Sequence, residues 1–177
     1  MRFTACVVAC VACLGLAGCG GDGDDDEAEG PTTTSGPTVP AAQYAARADK
    51  LCSEVIRKVL DARIQQRLTR IERSNATEEE QVERAAPILA EQLRLISDFR
   101  RKIEQLGMPS AHRDDAERLL EKTRSAEDEL EKAVTSAREG DSETAREAIG
   151  RYAGLSAQSA SIARDSELNF AICGSGA

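Results

Sequence analysis

Between Val82 and Leu106 apolar side chains return every three or four positions, at Val82, Ala86, Leu89, Leu93, Ile96, Phe99, Ile103 and Leu106. That spacing places them along one face of a helix and predicts a stripe turned toward a core. The same period runs through Tyr44, Ala48, Leu51, Val55, Val59 and Leu60, and again through Ala116, Leu119, Leu120, Thr123, Ala126, Leu130, Val134 and Ala137. Breakers separate the stripes. Pro40 suits a first turn, and the helix it opens is expected to reach about Glu72. Thr77 and Glu80 have the spacing of a capping box, while Pro87 should kink or split the second helix near Ala86. Gly107 closes that helix and Ser110 can cap a third; Gly140 closes the third, and Asp141 or Ser142 can cap a fourth that extends to about Ile172. Four amphipathic helices with short turns predict an all-α domain over residues 41–177, an up-down-up-down antiparallel four-helix bundle.

Composition agrees with this reading. From Ala41 to Cys173 the chain is dominated by Ala, Glu, Arg and Leu, with Pro87 and Pro109 its only prolines. Pairs such as Glu54 with Lys58 and Asp128 with Lys132 have the i, i+4 order that supports solvated helix faces.

The N-terminal part follows another pattern. From Phe3 to Gly18 there is no charge, Arg2 stands before the run, and small residues end it. Such a segment is shorter than the roughly 20 residues a membrane-spanning helix needs, and residues 1–18 read as a signal peptide. Leu16, Ala17, Gly18 and Cys19 resemble the bacterial lipobox, an aliphatic residue and two small ones before a cysteine. That resemblance implies a lipid on the Cys19 thiol, cleavage just before it, and a protein anchored through its N-terminal lipid to the extracytoplasmic face of the cell membrane. The competing reading is an ordinary secreted protein with a chance cysteine.

After Cys19 come Asp22, Asp24, Asp25, Asp26, Glu27 and Glu29, then "GPTTTSGPTVP". Residues 19–40 therefore read as a disordered acidic and Pro-Thr-rich tether. The acids lack the ligand spacing of an EF-hand loop. Loss of Arg2 with the signal takes the formal charge from −8 to −9, and the six tether acids leave the helical domain near −3. With no basic face and few aromatics, that domain is a poor nucleic-acid binder.

Of six cysteines, Cys6, Cys10 and Cys13 fall in the signal and Cys19 takes the lipid, which leaves Cys52 and Cys173. An even remainder in an exported domain suggests a disulfide, and an antiparallel bundle brings the start of its first helix and the end of its fourth together. Two buried free thiols are the alternative. "ADKLC", "PILAEQLRLI", "GD" before the last helix and "NFAICG" resemble a group of small helical lipoproteins and secreted proteins of actinobacteria. The resemblance implies an envelope location, a helical domain and cysteines at the positions of Cys52 and Cys173. It brings no catalytic residue with it.

Candidate chemistry is sparse. The only histidine, His112, falls at a helix start, and a di-metal bundle site would need two Glu-x-x-His motifs. No haem, phosphate-loop or nucleophile-elbow motif is present, so no enzyme, metal or cofactor is expected. The least ordinary stretch is "GRYAGLSAQSASIA", where small and hydroxyl residues replace the expected Leu and Ile. Tyr152, Ser156, Ser159 and Ser166 are expected on its inward face. Close helix packing is the favoured explanation, and a hydroxyl-lined ligand pocket the other. The sequence therefore favours a non-enzymatic envelope lipoprotein acting as an interaction or scaffold module toward a protein or cell-wall partner. An extracytoplasmic small-ligand carrier or sensor is the alternative.

If Cys19 carries the lipid, Cys19→Ala should abolish labelling with an alkyne fatty acid and move the protein out of the membrane fraction. Label persisting on the variant would refute the assignment.

Overall fold

The structure, a computed structural model, describes residues 38–173. Residues 1–18, read as a signal peptide, Cys19 and the expected tether up to residue 37 lie outside the described residues. The chain is mostly helical. Five helices follow one another: α1 Ala41–Asp61, α2 Ile64–Glu72, α3 Glu78–Gln105, α4 Arg113–Glu139 and α5 Ser142–Asp165. Two short strands, β1 Thr38–Val39 and β2 Met108–Pro109, pair in parallel.

Local chemistry accounts for most of the boundaries. The Thr77 side chain accepts from the Glu80 amide while the Glu80 carboxylate accepts from the Thr77 amide, so two orphan donors of α3 are satisfied. Asp141 accepts from the Thr144 amide at 3.0 Å and starts α5. Between α4 and α5, Gly140 takes φ 80°, a left-handed conformation that a side chain would strain.

Three boundaries differ from the sequence expectation. The first helix does not run unbroken to Glu72, because Arg63 adopts φ 52° and separates α1 from α2. Across that break Leu60 is 66% exposed, whereas Ile64, four residues on, is fully buried. The interruption therefore re-aims a stripe that a straight helix would have kept on one face. Of the two outcomes expected at Pro87, a kink or a split, the split does not occur, and the helix continues from Glu78 to Gln105. Ser110 does not cap α4. Its amide donates to the Val39 carbonyl at 2.8 Å, and His112 takes the cap position with φ 58° and no side-chain cap bond. This follows from β1: Thr38 and Val39, read as the end of a disordered tether, are paired, and Val39 is buried beside Tyr44 and Ile103.

The third difference is at the other end. The last helix stops at Asp165 rather than near Ile172, and the chain continues as an irregular strap. The strap's amides have a different acceptor. Ala171 donates to Asp49 Oδ2 at 2.7 Å, and Ile172 and Cys173 each donate to Oδ1 at 2.9 Å. A buried carboxylate on α1 thus replaces the helix carbonyls. Beside it Cys52 and Cys173 are bonded, with Cα atoms 5.5 Å apart, closing a separation of 121 residues. In the chain-entropy picture a loop of that length stabilises the fold by about 5 kcal/mol, an upper figure.

The buried core comes in two larger layers, beside a small cluster of Val82, Ala86, Ala137 and Ala145. One gathers Ile64 and Leu68 of α2, Ile88 and Leu89 of α3, Leu130 and Val134 of α4, and Ile149 and Tyr152 of α5. The other gathers Tyr44, Ala48 and Cys52 of α1, Ile103 of α3, Leu120 of α4, Ala163 of α5, and Leu168 and Cys173 of the strap. Helix α4 lies along α5 and along α3, while α1 packs chiefly on α3.

Asp49→Asn should lower stability by about 2 to 3 kcal/mol, because hydrogen bonds to a charged acceptor are lost and an amide group faces amide donors. Urea unfolding measures the loss, and hydrogen exchange locates it. Undiminished protection at residues 171–173 would contradict the role given to the carboxylate.

Candidate functional site

Between the two core layers the stripes of all four long helices carry residues that do not close on one another. Val55, Ile56 and Val59 of α1, Ile96 and Phe99 of α3, Thr123 of α4, and Ser156 and Ser159 of α5 line a cavity of about 290 Å³. Every one of them is only half-buried, although each falls on its helix's core face. The cause is legible residue by residue. Helix α5 supplies Ser156, Ser159 and Ala160 where a packed bundle would place Leu or Ile, and α4 supplies Thr123 and Ala126. Short side chains on two adjacent helices leave the larger ones of α1 and α3 without partners, and packing contact is forfeited across the gap.

The wall is more apolar than its hydroxyls suggest. Thr123 Oγ1 donates to the Leu119 carbonyl at 2.7 Å and Ser159 Oγ to the Leu155 carbonyl at 3.1 Å, so both turn back onto their own helices. At one end Gln92 Nε2 donates to Tyr152 Oη at 2.8 Å, a buried pair tying α3 to α5. At the other end stands Tyr44. Its side chain is fully buried, its ring lies 6.4 Å from that of Phe170 at 56°, and its hydroxyl has no hydrogen-bond partner. Burial pushes the Tyr44 phenol up to about 12. The Cys52–Cys173 bridge also borders this end.

No Asp, Glu, Lys, Arg or His lines the cavity. The charged groups pair outside it. Arg100 bridges Glu104 and Glu127, Arg124 joins Glu104 at 2.8 Å, and Arg151 joins Glu129 at 2.9 Å. Burial works against charge on Glu127, yet hydrogen bonds from Arg100 and Ser97 hold it below the usual carboxylate range. Asp98 is lowered to about 2 by hydrogen bonds from Lys102 and Arg101.

Of the four residues expected on an inward face of the last helix, Tyr152, Ser156 and Ser159 line the cavity together. Ser166 does not. It sits beyond the end of α5, buried, with its hydroxyl donating to the Ala163 carbonyl at 3.1 Å. His112 lies apart from the cavity, its Nδ1 2.8 Å from Glu167 Oε2. Close packing does not explain the glycines of this stretch, since a Cβ on Gly150 or Gly154 would meet nothing within 4 Å. Sequence reasoning missed Tyr44 and Gln92. Tyr44 looks like one more stripe residue, and Gln92 sits beside Leu93 with no pattern to mark it as inward.

Among the described residues no helix is long and apolar enough to cross a membrane. No family model, no curated protein and no solved structure matches this chain.

Below about pH 10 the Tyr44 phenol is neutral whether the chain is folded or unfolded, because its folded value of about 12 lies above the ordinary 10.0. Stability should fall as pH rises from 10 toward 12, by about 2 to 3 kcal/mol in all. Tyr44→Phe should remove that alkaline limb and, by deleting an unpaired hydroxyl, raise stability at neutral pH by about 1 kcal/mol. Urea unfolding across this range checks both signs.

Proposed function

We propose that this chain is a non-enzymatic, lipid-anchored binding protein of the cell envelope, which holds an apolar small molecule between the two core layers of an up-down-up-down four-helix bundle. The order of the cross-links supports that bundle. Along α3, Arg100 and Glu104 meet α4 at Glu127 and Arg124 in descending order. Between α4 and α5 with the strap that follows it, Asp115 meets the Glu167 amide and Glu129 meets Arg151. Lys58 and Arg67, counted as one broken first helix, meet Asp98 and Glu91 of α3, again in descending order.

The observation that carries the reading is the cavity of about 290 Å³ with an uncharged wall. It approaches the size at which ligand pockets begin, roughly 300 Å³, and has their mostly apolar lining with a few polar groups. The partly exposed apolar side chains of this wall leave surface in water that a bound apolar molecule would cover. A carrier therefore has a physical reason for this sequence that a scaffold lacks. The interaction-module reading needs an outer surface to match. Leu60 is the one large hydrophobic residue exposed among the described residues, and single exposed apolar side chains are ordinary. An anchor at Cys19 would hold the cavity beside a bilayer, a reservoir of apolar molecules.

Ser159→Leu tests this directly. Its side chain would extend into the cavity, so stability should hold within about 1 kcal/mol while a molecule retained by the parent through mild purification, seen by native mass spectrometry, disappears. A loss of about 1 to 3 kcal/mol, the mark of an overfilled core, together with a parent that retains nothing, would return the protein to the scaffold reading.

A further inference from the structure

The formal charge near −3, from which no basic face is expected, averages over two unlike parts of the domain. Between Ala41 and Arg73 eight Lys and Arg stand against four Asp and Glu, so α1 and α2 carry a surplus of positive charge while the chain after them is acidic. Two of these cations, Lys58 and Arg67, reach Asp98 and Glu91 of α3. The other six, Arg47, Lys50, Arg57, Arg63, Arg70 and Arg73, are exposed and have no ion pair among the described residues. Of the four acids, Asp49 is buried beneath the strap, and Glu54, Asp61 and Glu72 offset only half of the six. The outer side of α2 is wholly basic: Arg63, Gln66, Arg70 and Arg73 are its exposed residues, at steps of three and four.

Charge to match this face stands in the same chain. Residues 22–29 hold six acids, and no Lys or Arg occurs anywhere in residues 19–40 to neutralise them. The described chain begins beside the face, since Thr38–Val39 are held on β2 immediately before α1. Glu29 is nine residues from Thr38 and Asp22 sixteen, which allows reaches of at most about 30 Å and about 55 Å. Along the helix axis Arg57 lies about 24 Å from Ala41 and Arg63 about 33 Å. The acids can therefore meet these cations without leaving the molecule, at a local concentration that a separate polyanion lacks.

We infer that the acidic run of residues 22–29 docks on the basic face of α1 and α2 in its own molecule. This docking is independent of the ligand-binding reading. Its contacts are solvent-exposed pairs, each weak and screened by salt, so it holds through their number and loosens at high ionic strength. Asp22 stands three residues after Cys19, so a docked run brings Cys19 within about 10 Å of the face. A lipid on Cys19 would then turn α1 toward the bilayer, with Leu60 of the cavity lining exposed on that helix.

NMR of the isotope-labelled full chain carrying Cys19→Ala tests the docking from both sides. One variant neutralises the run, with Asp→Asn at 22, 24, 25 and 26 and Glu→Gln at 27 and 29. The other carries Arg57→Gln, Arg63→Gln, Arg70→Gln and Arg73→Gln, all exposed positions whose loss leaves the fold intact. At about 20 mM salt the first variant should shift amides of α1 and α2 but not of α5, and the second should shift those of residues 22–29; both effects should fade at about 0.5 M. Residues 22–29 indifferent to the arginine substitutions, or shifts spread evenly over all five helices, overturn the inference. Phosphatidylglycerol vesicles test the rival occupant, an anionic bilayer. The acid-neutralised chain, with its face freed, should bind them about tenfold more tightly than the parent. Equal binding would show the face open in the parent and overturn the docking.

Discussion

Asp49 and the neighbouring disulfide hold the first helix to the chain end, and the arrangement of the interior depends on that tie. Helix α1 packs chiefly on α3 and lacks an extensive backbone approach to α5. Three strap amides on one carboxylate, with Cys52 bonded to Cys173 beside them, join α1 to the strap that leaves α5. The tie fixes one end of the space between these helices. Toward the other end Ile64 and Leu68 of α2 pack into the core from across the Arg63 break.

A helical interior tied at one end and packed toward the other need not be filled in its middle. The two core layers contain the large buried side chains, including Leu130, Ile64 and Tyr44, each almost wholly shielded from water. The intervening layer contains the serines of α5 and the threonine of α4. In a bundle without end ties, helices facing such short residues would collapse together to regain packing. Here the collapse is opposed by a covalent bridge and a buried carboxylate at one end and by a packed layer at the other.

The surface charge pattern fits the same division. Arg100, Glu104, Glu127 and Arg124 form a connected group between α3 and α4, and Arg151 links Glu129 to Glu147 between α4 and α5. Partly exposed pairs of this kind contribute modestly to stability and help to fix the register of adjacent helices. Their confinement to the outside leaves the cavity wall without fixed charge.

The sequence by itself determined the helices, because period and capping chemistry are local. The stripe from Val82 to Ile103, the Thr77 and Glu80 box and the Gly140 turn depend on residues a few positions apart. It also marked Tyr152, Ser156 and Ser159 as unusual, since missing side-chain volume can be counted in the sequence. What those serines face was decided only by tertiary structure, because a small residue permits either close approach or a gap, and the choice depends on what holds the neighbouring helices apart. The end of α5 at Asp165, the departure of Ser166 from the cavity and the docking of Val39 have the same origin. Each depends on a partner far away in the chain: Asp49 for the strap amides, and β2 for Val39. An acid at position 49 looks the same in sequence whether it faces water or caps a strap more than a hundred residues away.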